Sequence, residues 1–174
     1  FNSLPDQDLL ANRINDLKNP SPDNRTDKNI VSLNSRMSNL NAAVGVAQLE
    51  RLEEFVKIKR RNVALYESLL DKIQGIDIIS ENLEVRSTYW RYSVLINNNF
   101  PISRDELIIR LKDNNIVARG IFTPMHLHPV YKQELDTSFP EAEHTSSIGL
   151  DLPSSVKLVE EDIIRVVNTI ENCI

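Results

Sequence analysis

The side chains able to do chemistry fall in three places. Asn34-Ser35-Arg36-Met37-Ser38 sets an amide, a guanidinium and two hydroxyls just ahead of a long helical pattern. Free N–H groups and the dipole at a helix start favour an anion, so the cluster reads either as an anion site or as an ordinary N-cap beside an exposed arginine. His126-Leu127-His128 places two imidazoles at i and i+2, on one side if the segment is extended. They could begin a metal site with Glu134 or Asp136, or one of them could hydrogen-bond a ligand from a proline-edged loop. Arg119 follows a strand-like run and precedes Gly120. An arginine there either grips a carboxylate or phosphate bidentately or forms a surface ion pair. His144 falls in a helical pattern and is expected on the surface. Cys173 has no neighbour that would activate its thiol, and no Ser/His/Asp or Cys/His nucleophile arrangement is recognisable.

These groups need elements to hold them. Leu9, Leu10, Ile14 and Leu17 recur at helical spacing after Pro5, and Asn19–Asn29 is a polar, proline-containing loop. From Ser38 to about Lys72 there is no proline, and Leu40, Val44, Ala47, Leu52, Phe55 and Leu69 recur near helical spacing. One long helix is expected, its first half apolar all round and therefore covered by neighbours. The basic run Lys57, Lys59, Arg60, Arg61 reads as a solvated face. Gly75 ends the helix. Ile76–Ile79 is a short strand and Thr88–Ile96 a longer one, with Trp90 expected in the core. Ser103 and Glu106 form a capping box for a helix to about Asn114. Ile116–Ala118 reads as a strand, 140–148 as a helix, Gly149 as a turn, and a last helix starts at Glu160. The second half is thus a small α/β layer structure with helices covering a sheet.

Composition narrows the function. The 174 residues fit one domain plus an arm. A net charge of -5 argues against nucleic acid or an anionic membrane as main partner. No apolar run reaches the roughly 18 residues of a membrane span, and no signal peptide is visible. The single cysteine excludes an internal disulfide and a cysteine-based zinc site, and a cytoplasmic location is expected. Only four glycines occur, with no glycine-rich phosphate loop, which is low for a complete enzyme that cradles a cofactor phosphate. Together with the start at Phe1, this leads one to expect a piece of a larger protein.

The run from Asn34 to Leu52 resembles the N-x-R-M-S/T-x-x-x-A-A-x-G-x-A-Q-L-x-x-L signature of the DegT/DnrJ/EryC1/StrS family of pyridoxal-phosphate-dependent sugar aminotransferases. Tyr89-Trp90-Arg91-Tyr92, Ser103–Leu107, Thr123–Tyr131 and Gly149–Ser154 with Glu160–Ile163 are similar to four later blocks of that family, in its order. The pattern is most similar to the perosamine-synthase branch, which aminates nucleotide-linked 4-keto-6-deoxy sugars. Gly120 stands where that branch usually has proline, and His128 where the family more often has glutamine.

The resemblance implies the C-terminal small domain of a fold-type I transferase, preceded by a linking helix. Residues 1–37 would be a remnant of the large domain, 38–75 the link and 76–174 the small domain. The segment carrying the Schiff-base lysine would lie ahead of this chain, so Lys18 and Lys28 are not candidates and the chain alone would be inactive. The resemblance further implies a homodimer, a nucleotide-sugar substrate and glutamate as amine donor. Asn34 and Arg36 would approach the cofactor or substrate phosphates of the neighbouring subunit, and His126 and Arg119 would border the sugar. A pyridoxamine-dependent sugar dehydratase and a non-catalytic dimerisation module are the rival readings.

Overall fold

The computed structural model describes residues 9–12, 14, 37–82, 84–131 and 137–174. The chain divides into two compact units, residues 1–51 and 52–174. In the first, residues 9–12 and 14 are helical and exposed. Helix α1 (Asn39–Glu50) starts at Ser38, whose hydroxyl accepts from the Asn41 N–H at 3.2 Å. It ends at Arg51, whose N–H turns back to Gln48 and Leu49 carbonyls. The expected continuous helix is therefore two consecutive helices, because the tightened last turn of α1 closes before the next one opens. No residue of α1 is buried.

The second unit opens with α2 (Leu52–Leu70), whose Val56, Val63, Tyr66 and Leu70 form one buried stripe at helical spacing. Gly75 turns the chain at φ +91°, and a Cβ there would collide with the Phe100 backbone, so only glycine fits. A four-stranded antiparallel sheet follows in the order β1 (Ile76–Ile78), β2 (Tyr92–Ile96), β4 (Gly149–Leu152), β3 (Arg119–Gly120). The turn expected at Gly149 is instead the first residue of β4, a central strand paired on both sides. The expected strand at 116–118 shifts to 119–120, while Ile116 and Ala118 are buried as packing groups.

Alternation along β2 and β4 turns Tyr92, Val94, Ile96, Leu150 and Leu152 to one face. There they meet α2, α3 (Arg104–Asp113) through Leu107 and Leu111, and α5 (Glu160–Glu171) through Ile163, Val166, Val167 and Ile170. Tyr66 stacks on Tyr92 with ring centroids 5.1 Å apart and donates to the Pro153 carbonyl. Burial pushes both phenols well above their ordinary range. Ser103 caps α3 through the Glu106 N–H. Helix α4 (Pro140–Ile148) lies against β2 and β3. Among the described residues no helix is long and apolar enough to cross a membrane.

Candidate functional site

Asn34 and Arg36 lie outside the described residues, as do Glu134, Asp136, Lys18 and Lys28. The other candidates sit in the second unit. Arg119 opens β3 directly opposite Asp151 of β4, which in turn faces Ser93 of β2. These three side chains form a polar row on the sheet face opposite the core. Asp151 is already occupied: it accepts from Arg91 Nη1 at 2.7 Å and from the Ser93 hydroxyl at 2.5 Å. Arg119 is exposed and has no hydrogen bond or ion pair among the described residues. One of two arginines flanking a single carboxylate is left with its charge uncompensated, which suits an anion.

Arg91 is held further. Its guanidinium lies between two rings, 4.6 Å from the Trp90 centroid and 4.2 Å from that of Phe122. Both rings face solvent, Trp90 at 67% and Phe122 at 65% exposure. The core position expected for Trp90 is not what the chain adopts. Tyr89 takes φ +45°, a left-handed conformation that costs a bulky residue roughly 1–3 kcal/mol, and this breaks the alternation ahead of β2. The turn is clamped from beneath. Half-buried Lys59 of α2 donates its ammonium to the carbonyls of Tyr89 (3.2 Å), Trp90 (3.2 Å) and Ser154 (2.6 Å). Burial lowers its pKa.

Arg60 next to it binds both carboxylate oxygens of Glu81, at 2.8 and 2.7 Å, and the Ser87 carbonyl. Glu81 also accepts the Ser87 N–H. The Arg60 hydrogen bonds hold its carboxyl down to about 2. Half of the basic run read as a solvated face is thus anchoring the loop that ends in Trp90, because its acceptors come from residues distant in sequence.

His126 sits in a single 3₁₀ turn (Met125–Leu127) and is only 7% exposed. Its Nε2 lies 2.9 Å from Glu143 Oε1 and its ring rests against Phe139 at 4.9 Å. Glu143 also accepts the Phe139 N–H and the Ser138 hydroxyl. These donors, His126 first, hold its carboxyl below the ordinary range. Glu143 was not legible as a partner for His126; its only signal was an acidic residue in the first turn of α4. His128 is exposed while His126 is buried, so the two imidazoles do not share one side. Among the described residues no group of acidic, histidine and cysteine side chains could hold a metal. His144 is exposed, as expected.

The structure thus brings Arg119 to the Arg91–Asp151 strip and ties His126 to α4. Lys59, the described lysine drawn into the fold, is spent on three carbonyls.

Three comparisons bear on this arrangement. The chain is 32% identical over 172 residues to the GDP-perosamine synthase of Vibrio cholerae, covering 97% of this chain and 47% of that protein. It is 32% identical to the dTDP-4-amino-4,6-dideoxy-D-glucose transaminase of Shigella dysenteriae, covering 92% of this chain and 44% of that protein. Its fold matches S. venezuelae DesV, crystallised with a ketimine intermediate, at a TM-score of 0.81 and 25% identity, over 94% of this chain and 43% of that one. The chain therefore spans a little under half the length of the curated relatives it matches. The family model for the DegT/DnrJ/EryC1/StrS aminotransferases matches residues 4–171, and the chain belongs to that family.

Proposed function

We propose that this chain is the C-terminal portion of a cytoplasmic, homodimeric aminotransferase that moves an amino group from glutamate to a nucleotide-linked 4-keto-6-deoxy sugar. The observation that carries this reading is the likeness, over nearly the whole chain, to proteins named for making 4-amino-6-deoxy sugars on GDP or dTDP. Pyridoxal 5'-phosphate supplies the electron sink and amine carrier for such chemistry. Asn34 and Arg36 are assigned to the cofactor or substrate phosphates on the resemblance alone.

What the described residues offer is the sugar side. Arg119 presents an uncompensated guanidinium to an anionic part of the substrate. His126 borders the sugar with Nδ1 as its available nitrogen, because Nε2 is engaged by Glu143. A proton on Nε2 donated to Glu143 leaves Nδ1 an acceptor for a sugar hydroxyl.

The test uses the protein that carries this chain, incubated with pyridoxal phosphate, glutamate and the 4-keto-6-deoxy sugar linked to GDP or to dTDP. Mass spectrometry is expected to find the corresponding amino sugar and 2-oxoglutarate. Loss of oxygen from the sugar without nitrogen gain establishes a dehydratase instead, and no change in sugar or glutamate overturns the reading.

A further inference from the structure

Trp90 is at once very exposed and very firmly placed. Its backbone carbonyl accepts from Lys59 Nζ and from the Ser154 hydroxyl. The residue before it is held at φ +45°. One face of its indole is stacked on Arg91, and Arg91 is fixed by Asp151 on one side and by the Phe122 ring on the other. A surface tryptophan that merely fills space requires none of this. Strain beneath an exposed aromatic, held in place by a half-buried cation, is the pattern of a pre-organised ligand contact.

We propose that the free face of Trp90 is the stacking platform for the nucleobase of a nucleoside diphosphate. The chemistry selects a base over a pyranose ring. An isolated indole face is electron-rich and attracts the C–H groups of a sugar. The Arg91 cation behind this indole draws π density away from the outer face. That weakens C–H attraction and relieves the repulsion between two stacked π-systems, so a flat heteroaromatic base gains what a sugar loses. Arg119 stands one register step away, across Asp151 from Arg91, with its charge free for a phosphate. A base platform and an unpaired guanidinium on one strip are the two ends of nucleoside diphosphate recognition. The inference rests on the reading that the substrate is nucleotide-linked, and it adds which residue receives the base.

Trp90 is the only tryptophan in the chain, so its fluorescence reports this site alone. The chain is titrated without cofactor with GDP, dTDP, mannose 1-phosphate and inorganic pyrophosphate, each to about 20 mM, a range that captures the millimolar affinity of one base stack combined with one guanidinium–phosphate contact. With free N-acetyltryptophanamide titrated in parallel to subtract light absorbed by the bases, GDP and dTDP are expected to quench Trp90 saturably beyond that reference, and the two compounds that lack a base are not. Line broadening of the base protons in the ligand's NMR spectrum follows the variants. Trp90→Phe retains binding, whereas Trp90→Ala weakens it about tenfold, as loss of one base–aromatic stack requires. Circular dichroism checks that each variant keeps the fold; should Trp90→Ala not keep it, the wild-type titration and Trp90→Phe decide.

Absence of saturable quenching by either nucleotide overturns the proposal. So does equal quenching by mannose 1-phosphate, which assigns the platform to the sugar, and so does unaltered base binding by a folded Trp90→Ala. Because the titration uses no turnover, it separates the two claims. Quenching in a protein that transfers no amine leaves this site standing and removes the proposed function, and amine transfer without quenching does the reverse.

Discussion

Two neighbouring helices of this chain use apolar residues in opposite ways. Helix α1 is the more apolar, with its Ala42-Ala43-Val44-Gly45-Val46-Ala47 run, yet it buries nothing: Leu40 is 75% exposed and Leu49 69%. Helix α2 carries Glu53, Glu54, Lys57, Lys59, Arg60 and Arg61, yet it supplies Val56, Val63, Tyr66 and Leu70 to the core. Within this chain, which spans under half the length of its curated relatives, the stripe of α2 finds a sheet face to cover it and the all-round apolar surface of α1 does not. A stripe can be matched by one sheet face, whereas an all-round apolar surface needs neighbours on every side.

Stability measurements break or confirm that contrast most directly. Leu70→Ala removes a fully buried side chain from the α2 stripe. It is expected to cost about 2–5 kcal/mol through lost transfer energy and the cavity left behind, read from urea unfolding of the whole chain. A cost near zero would mean that α2 is not the keystone of the second unit.

A second effect, about 1–2 kcal/mol, is expected at the edge of the sheet. The Arg104 guanidinium passes through the space a Gly120 side chain would fill and donates to the carbonyls of Ser146 and Gly149. Gly120→Ala displaces it and loses these charge-assisted bonds. In an Arg104→Ala background the same substitution should cost little, which a double-mutant cycle measures. Equal costs in both backgrounds would place the penalty in the backbone instead. Glycine at 120 thus makes room for a side chain from another helix.

The same features show what the sequence could and could not reveal. Helices α3 and α5 were legible because their signals are local: Ser103 and Glu106, and the acidic start at Glu160. Strand β4 was missed because Gly149 looks like a turn, and only pairing with β2 and β3 makes it a strand. The anchoring roles of Lys59 and Arg60 depend on acceptors at residues 81, 87, 89, 90 and 154. No periodicity encodes those. Trp90 was placed in the core by alternation, and the positive φ of Tyr89 moved it out. At the candidate site residue types singled out Arg119 and the His126/His128 pair, and only the family resemblance chose His126. The Asp151 strip beside one and the Glu143 partner of the other are tertiary facts.

The Arg60–Glu81 pair ties α2 to the Trp90 loop, and acid should loosen it. In the folded chain the Glu81 carboxyl is held at about 2, against an ordinary value of 4.5. A depressed folded value contributes stability that is present above the unfolded value and lost as the pH falls through the folded one. Urea midpoints of the wild type should therefore decline between about pH 4.5 and 2. Glu81→Gln should flatten part of that decline, while Glu53 and Glu143, also held below their ordinary range, keep the rest. An identical acid limb in the variant would show that the pair does not persist in solution.

The smallest effect is expected where the apolar density is greatest. Leu40 and Leu49 of α1 are exposed, so shortening either to alanine removes little that folding had taken from water. Alanine also has the highest helix propensity, which offsets what is lost. Leu40→Ala and Leu49→Ala should each change unfolding stability by less than about 0.5 kcal/mol at dilute concentration, as surface substitutions do. The same exposure makes the effect depend on concentration. At roughly 25 cal/mol per Å², covering a few hundred Å² of this helix by a second copy offers several kcal/mol, before association costs are subtracted. Stability of the wild type should then rise with protein concentration, and the two variants should fall behind it only at the high end. Sedimentation at matched concentrations reads the association itself. A wild-type chain that stays monomeric, with both variants costing several kcal/mol when dilute, would show that α1 is covered within one copy and would erase the contrast with α2.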